Sequence, residues 1–190
     1  MQYATVHEAA IAGDVNALSD LTAPGQQADL NEWGLTPIQA AVDMAPSNSA
    51  GDYSGVVSLL LSRGAELSAA DLGLVAEYLL RGVREAILSH PRAAELTAAD
   101  LARAAISATD AYIEVPSDHV QVLEMFERLY TAALHVDPAE AHSVLMSEVA
   151  SRLMEGDLYS LSVVNVALEH MRVVFMTYLR ALRAQHGMGR

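Results

Sequence analysis

The chain has 190 residues, a formal net charge of −13 and a pI near 4.7. That acidity argues against a nucleic-acid surface, which needs cations to neutralise phosphate, and against an anionic membrane surface as partner. The absence of cysteine excludes disulfide scaffolding and thiolate chemistry.

Apolar residues make up 52% of the chain and charged residues 18%, so the sequence can bury a core and is not compositionally disordered. Alanine and leucine dominate, both strong helix formers, and β-branched residues come in short groups inside a helical period. An all-α fold follows. All 11 basic residues are arginines, and residues 1–62 contain none of them. The same stretch carries Glu8, Asp14, Asp20, Asp29, Glu32, Asp43 and Asp52. This single-sign acidic field either steers a basic partner or maintains solubility. The first ten residues lack a basic region followed by an apolar run, so no signal peptide is expected. The apolar cluster Met171–Leu179 is too short to span a bilayer, and a cytoplasmic location is expected.

In chain order, His7, Ala9 and Ala10 precede a Gly13-Asp14 turn and a second apolar stretch, Val15–Leu21. A loop over 22–27 leads to Ala28, Asp29, Leu30 and Asn31. Next comes Asn31–Ala41, NEWGLTPIQAA. Gly34 suits a turn, Thr36 a helix cap, and Pro37 a first helical turn where its missing N–H is not needed. Small Ala40 and Ala41 allow a paired helix to approach closely. After Ala41 the segment VDMAPSNSA marks a loop through Pro46, Ser47, Asn48 and Ser49. The apolar run Leu59–Leu61 then ends at Ser62-Arg63-Gly64, where Gly64 should terminate a helix.

These landmarks resemble the ankyrin-repeat family, over residues 4–71. Gly34, Thr36, Pro37, Ile38, Ala40 and Ala41 match its turn and Thr-Pro-Leu-His block, with Gln39 in the place of the usual histidine. Leu59–Leu67 is similar to the second helix of a repeat and its exit. The resemblance implies two stacked helix–turn–helix repeats and a structural, hydrogen-bonding role for His7. The chain departs from the pattern in a displaced Gly25, an unusual Gly55 and about seven extra residues around Pro46.

Beyond Asp71 the signature fades, but a local echo remains. Residues 65–72 read AELSAADL and residues 94–101 read AELTAADL, an offset of 29. Each places a serine or threonine at a helix start. Leu72–Leu80 and Val83–Leu88 are expected to form a helix pair around Gly82, broken at His90-Pro91. After a loop near Pro116, an amphipathic helix is expected over His119–His135, with Val120, Val122, Leu123, Phe126 and Leu129 on its apolar face. Pro138 should start a helix running to about Met154. A second should run from about Leu158 to Gln185, with Leu161, Val164, Leu168, Met171, Phe175 and Leu179 on one side and Val163, Val166, Val174 and Tyr178 on the flanks. The expected organisation is ankyrin-like repeats over 1–136 (1–30, 31–67, 68–96 and 97–136, the last two degenerate), then a helical cap over 137–186.

The seven histidines form no HExxH motif or close pair, and no GxxxxGKS or GxGxxG loop occurs. No carboxylate stands at a spacing that suggests general acid–base work. No catalytic residue, cofactor or metal is therefore expected. In an ankyrin stack, the hairpin tips and first helices face the partner. Here those places are Asp29, Glu32, Trp33, Gln39, Glu66, Ser68 and Ala70, with Met44 and Tyr53 at the edges of the inserted loop. The expected function is a non-enzymatic protein-interaction module whose partner has a basic contact surface, and a monomer is favoured. A structural homo-oligomer assembled through the C-terminal helices, such as a homodimer, and an enzyme whose site residues converge from distant helices, remain the alternatives.

Overall fold

The protein is described here by a computed structural model, which covers residues 3–22, 31, 34–114, 119–154, 168–169 and 172–180. Side chains at 110–114, 119, 152 and 153 are not described. Every regular element among the described residues is helical. The chain divides into two compact units, residues 1–96 and 97–190.

Among its described residues, the first unit contains six short α-helices: α1 (Val6–Ala12), α2 (Val15–Leu21), α3 (Pro37–Met44), α4 (Tyr53–Ser62), α5 (Ala69–Glu77) and α6 (Arg81–Ser89). They pack as pairs, α1 with α2, α3 with α4 and α5 with α6. Helix α1 also packs on α3 and α3 on α5, while α2 packs on α4 and α4 on α6. Two layers of helices result, and each pair buries its apolar side against the next. Ala9, Ala10, Ala40, Ala41, Val75 and Ala76 are at most 2% exposed, so the first-helix layer meets through small side chains. Leu18, Val56, Val57, Leu60, Leu61, Val83 and Ile87 fill the second layer.

The start and stop signals act as their chemistry requires. The Thr36 hydroxyl accepts from the Gln39 N–H, and Gln39 Oε1 accepts from the Thr36 N–H, closing a capping box with Pro37 as the first helical residue. Thr5 and Glu8 form the same box at α1. Gly34 and Gly64 both adopt positive φ, 74° and 101°, outside the helices. The inserted residues form a 3₁₀ turn, Ala45–Ser47, and a loop before α4. His90-Pro91 ends α6, and a second 3₁₀ turn, Pro91–Glu95, follows.

The third pair differs from expectation at its turn. Gly82 does not separate the helices; it is the second residue of α6. Leu79 makes the turn, with φ 54°. Its N–H donates to the Ala76 carbonyl, and the Leu80 N–H donates to the Val75 carbonyl. This pair of bonds is the left-handed helix ending usually made by glycine, as Gly13 does in the first pair. Gly82 serves packing instead, since a Cβ there would sit 2.6 Å from Ser54 Oγ.

The second unit contains α7 (Ala98–Glu114), α8 (His119–Val136), α9 (Pro138–Met154) and a helical stretch over 172–180. Helices α7, α8 and α9 pack mutually. Ala102, Ala105 and Ala108 of α7 are fully buried and face a core that includes Met125, Phe126, Leu129, Tyr130 and Leu145. The Asp137 carboxylate accepts from the Ala139 and Glu140 N–H groups and caps α9. The expected face of α8 is right at Val122, Phe126 and Leu129, while Val120 is 78% exposed. Val120 lies in the first turn, and the apolar side shifts along the helix to Met125, Tyr130, Ala133 and Leu134. Val174 and Tyr178 are half-buried together with Phe175 and Leu179, so they belong to the inward side of their helix and not to a flank. Leu158, Leu161, Val163, Val164, Val166, Met171 and Gln185 lie outside the described residues.

Candidate interaction surface of the first unit

The two AELxAADL segments make one structure twice. At α5, the Ser68 N–H and hydroxyl donate to Asp71 Oδ2 at 2.7 and 2.8 Å, and the Asp71 N–H donates to the Ser68 hydroxyl at 3.2 Å. At α7, Thr97 and Asp100 repeat all three contacts at 3.0, 2.7 and 3.1 Å. The first box is the more enclosed, with Asp71 only 1% exposed. Burial raises its carboxyl above the ordinary range, opposed by the Ser68 hydrogen bonds and by Gln39. Gln39 favours the charged form from across the helix layer, although Oδ1 has no hydrogen bond of regular geometry.

This placement decides what Gln39 and Ser68 can do. Gln39 is half-buried, and its amide oxygen is held by the Thr36 N–H, so that oxygen is committed to the helix cap. Ser68 is exposed, but its hydroxyl is held by Asp71. Glu66 is exposed on the segment between α4 and α5. The Arg92 guanidinium reaches back to the Ala65 carbonyl at 2.8 Å while paired with Glu95 at 2.8 Å. That link ties the segment after α4 to the one after α6. Asp29, Glu32 and Trp33 lie outside the described residues. Their neighbour Asn31 closes a turn, its Oδ1 accepting from the Leu35 N–H at 2.9 Å.

The inserted loop is ordered by the preceding pair. Asn48 Nδ2 donates to the Ala12 carbonyl at 3.3 Å, the Asp52 N–H to the Gly13 carbonyl at 3.0 Å, and the Tyr53 hydroxyl to the Ile11 carbonyl at 2.8 Å. All three bonds end on the last turn of α1 and its Gly13 cap, whose carbonyls have no helical donor. Gly13 and Gly51 let the two backbones meet, because a Cβ on Gly13 would come within 2.4 Å of the Gly51 Cα. Tyr53 is 6% exposed, and its ring anchors the loop. Met44 is half-buried where α3 passes into the 3₁₀ turn.

Pinned in this way, the loop faces the α5–α6 turn across a groove of about 310 Å³. Asn48, Ser49 and Asp52 line one wall, and Leu79, Arg81 and Gly82 the other. Leucine in the left-handed region is strained by about 1–2 kcal/mol. Such strain concentrates where geometry serves a function. Asp52, Asp43, Glu8 and Asp20 are exposed carboxylates of the lysine- and arginine-free stretch, and Asp43 accepts from the Tyr78 hydroxyl at 3.1 Å. The insertion and its Tyr53 edge are legible in the sequence, and the opposite wall is not. Nothing in the local run YLLRG marks Leu79 as a turn residue.

Among the described residues, no group of three or more His, Cys, Asp or Glu could hold a metal ion, and no helix is long and apolar enough to cross a membrane. The described histidines serve structural contacts: His7 with the Leu35 carbonyl, His90 Nδ1 with the Arg92 N–H, and His142 against Phe175. No family model, curated protein or solved structure matches the chain.

Proposed function

We propose that the first unit is an ankyrin-type stack of three helix pairs and that it acts as a protein-binding module. The supports for the family are the NEWGLTPIQAA block, the His7–Leu35 hydrogen bond between successive pairs and the layered packing of α1–α3–α5 and α2–α4–α6. The observation that carries the function is the groove between the inserted loop and the strained Leu79 turn. In repeat proteins, an insertion confined to one unit maps to a loop on one side of the stack, often the binding side. Here the insertion is held rigid by three hydrogen bonds, which lowers the ordering cost of a contact. The groove has Asp52 on one wall and Arg81 on the other, and the surface around it carries the exposed carboxylates Glu8, Asp20 and Asp43, so the fitting partner is a protein with a basic contact beside the groove.

A photoreactive residue at Ser49 in the full chain tests this reading. Crosslinking in a native extract should give a discrete adduct with one protein, and mass spectrometry should place the crosslink on a basic segment. The same residue at exposed Ala150 of α9 should not give that adduct. Identical adducts from both positions, or none from Ser49, would overturn the proposal.

A further inference from the structure

The helical stretch 172–180 divides cleanly in two. Val174, Phe175, Tyr178 and Leu179 are half-buried, and Arg172, Val173, Met176, Thr177 and Arg180 are exposed. At 3.6 residues per turn the exposed set occupies one arc of about 140°. The inner side is held by two ring contacts. Phe175 stacks on His142 with centroids 5.0 Å apart, and Tyr178 meets His135 edge-on at 5.7 Å. The outer side leaves Val173 55% and Met176 42% exposed, between two arginines about 12 Å apart along the axis.

Charge sets this helix apart from the rest of the chain. Residues 170–190 contain four arginines and no aspartate or glutamate, within a chain of net charge −13. Neither Arg172 nor Arg180 forms an ion pair with a described residue. A groove of about 350 Å³ adjoins the strip and shares Val173 and Thr177 with it. Val174 and Tyr178 complete that side, Thr131 and His135 of α8 stand opposite, and Glu127 lies on the α8 rim.

We propose that this strip and groove seat an acidic amphipathic segment of a partner protein. Its apolar side chains lie over Val173, Met176 and the groove, and its carboxylates, two helical turns apart, meet Arg172 and Arg180. Charge complementarity selects this occupant. A second copy docking symmetrically through the same helix would bring Arg172 of one copy against Arg180 of the other, a like-charge contact. A lipid surface fits less well, because it would meet the exposed strip and leave the adjoining groove unfilled. The site lies within the second unit and stands independently of the groove in the first.

A fluorescent helical peptide of about 15 residues, with Glu at two positions eight apart and Leu midway between them, tests the seat on the full chain. Its lysine counterpart serves as the control. The acidic peptide should bind at least about tenfold more tightly than the lysine peptide and weaken as salt rises. The double variant R172E/R180E should lose at least tenfold in affinity while keeping wild-type helical content by circular dichroism. R63E/R103E, with the same change in net charge, should bind like wild type. Equal binding of both peptides, or full affinity in R172E/R180E, would overturn the proposal. So would a salt-sensitive mass of twice 20.3 kDa in sedimentation that R172E/R180E abolishes, or retention on anionic phospholipid vesicles without peptide binding. The first would make the occupant a second copy and the second a lipid surface.

Discussion

His7 Nε2 lies 3.0 Å from the carbonyl oxygen of Leu35. A side chain from the first helix of one pair thus satisfies a backbone group on the turn that begins the next. The contact spans 28 residues of sequence, so it reports on stacking and not on local helix formation. It also joins two capping boxes, Thr5–Glu8 and Thr36–Gln39, because Leu35 precedes the cap of α3.

Replacing His7 with alanine should lower stability by about 1–2 kcal/mol, the usual cost of leaving a part-buried polar group without its partner. Equilibrium urea denaturation of wild type and His7→Ala measures this as a shift in midpoint at unchanged slope. Midpoints that coincide would show that the hydrogen bond does not hold the two pairs together.

Asp71 gives a pH-dependent prediction. Burial raises its folded-state carboxyl above its ordinary value near 3.8, so the folded chain binds the proton more tightly than the unfolded chain. The cost of the buried charge is fully present above the raised value and is relieved as pH falls through it towards 3.8. Asp71→Asn keeps an acceptor for Ser68 and removes the charge. Stability of wild type relative to Asp71→Asn should therefore rise as pH falls from 7 towards 3.8. Acid effects common to both proteins cancel in the comparison. A difference that stays flat, or moves the other way, would show that burial does not control this carboxyl.

The capping boxes were legible in the sequence because they are local. Ser68–Asp71 and Thr97–Asp100 need only a three-residue spacing, and the duplicated octapeptide displays it twice. Phe175 and Leu179 were legible as an inner side for a similar reason, since helical periodicity is a local rule. The phase of a short helix is not local. Tyr178 turns inward in contact with His135 of another helix, and no spacing within 172–180 encodes that contact. Leu79 was illegible for the opposite reason. Its left-handed conformation contradicts local preference, and only the packing of α5 and α6 around it sustains the turn. Leu79 stands in one wall of the candidate groove.

The inserted loop should lose order when its anchors are cut. Tyr53→Phe removes the hydroxyl bond to the Ile11 carbonyl, and Asn48→Ala removes the amide bond to the Ala12 carbonyl. Each should cost about 0.5–1.5 kcal/mol. The more specific expectation concerns amide exchange. The Asp52 N–H, bonded to the Gly13 carbonyl at 3.0 Å, should exchange faster in either variant, while amides in α7 and α8 should not change. Unchanged protection at Asp52 would mean that backbone contact between Gly13 and Gly51 alone holds the loop.

The turns at Gly13 and Leu79 make the last prediction reciprocal. Both residues end a first helix in the left-handed region, with φ 69° and 54°, and both carry the same pair of backbone hydrogen bonds. Leu79→Gly relieves about 1–2 kcal/mol of backbone strain. It also removes a half-buried side chain and adds freedom to the unfolded chain, worth about 0.5–1 kcal/mol. These terms oppose one another, so Leu79→Gly should stay within about 1 kcal/mol of wild type. Gly13→Leu has no such offset. It gains the strain, and its Cβ meets the Gly51 backbone at 2.4 Å, so it should cost more than about 3 kcal/mol or fail to fold. Denaturation of the two variants tests the stability terms. Function separates them further, because Leu79 is a wall of the groove. A folded Leu79→Gly protein of near-wild-type stability should give a weaker Ser49 crosslink to its partner. An undiminished crosslink from that variant would leave the strained turn as a packing compromise without a part in binding.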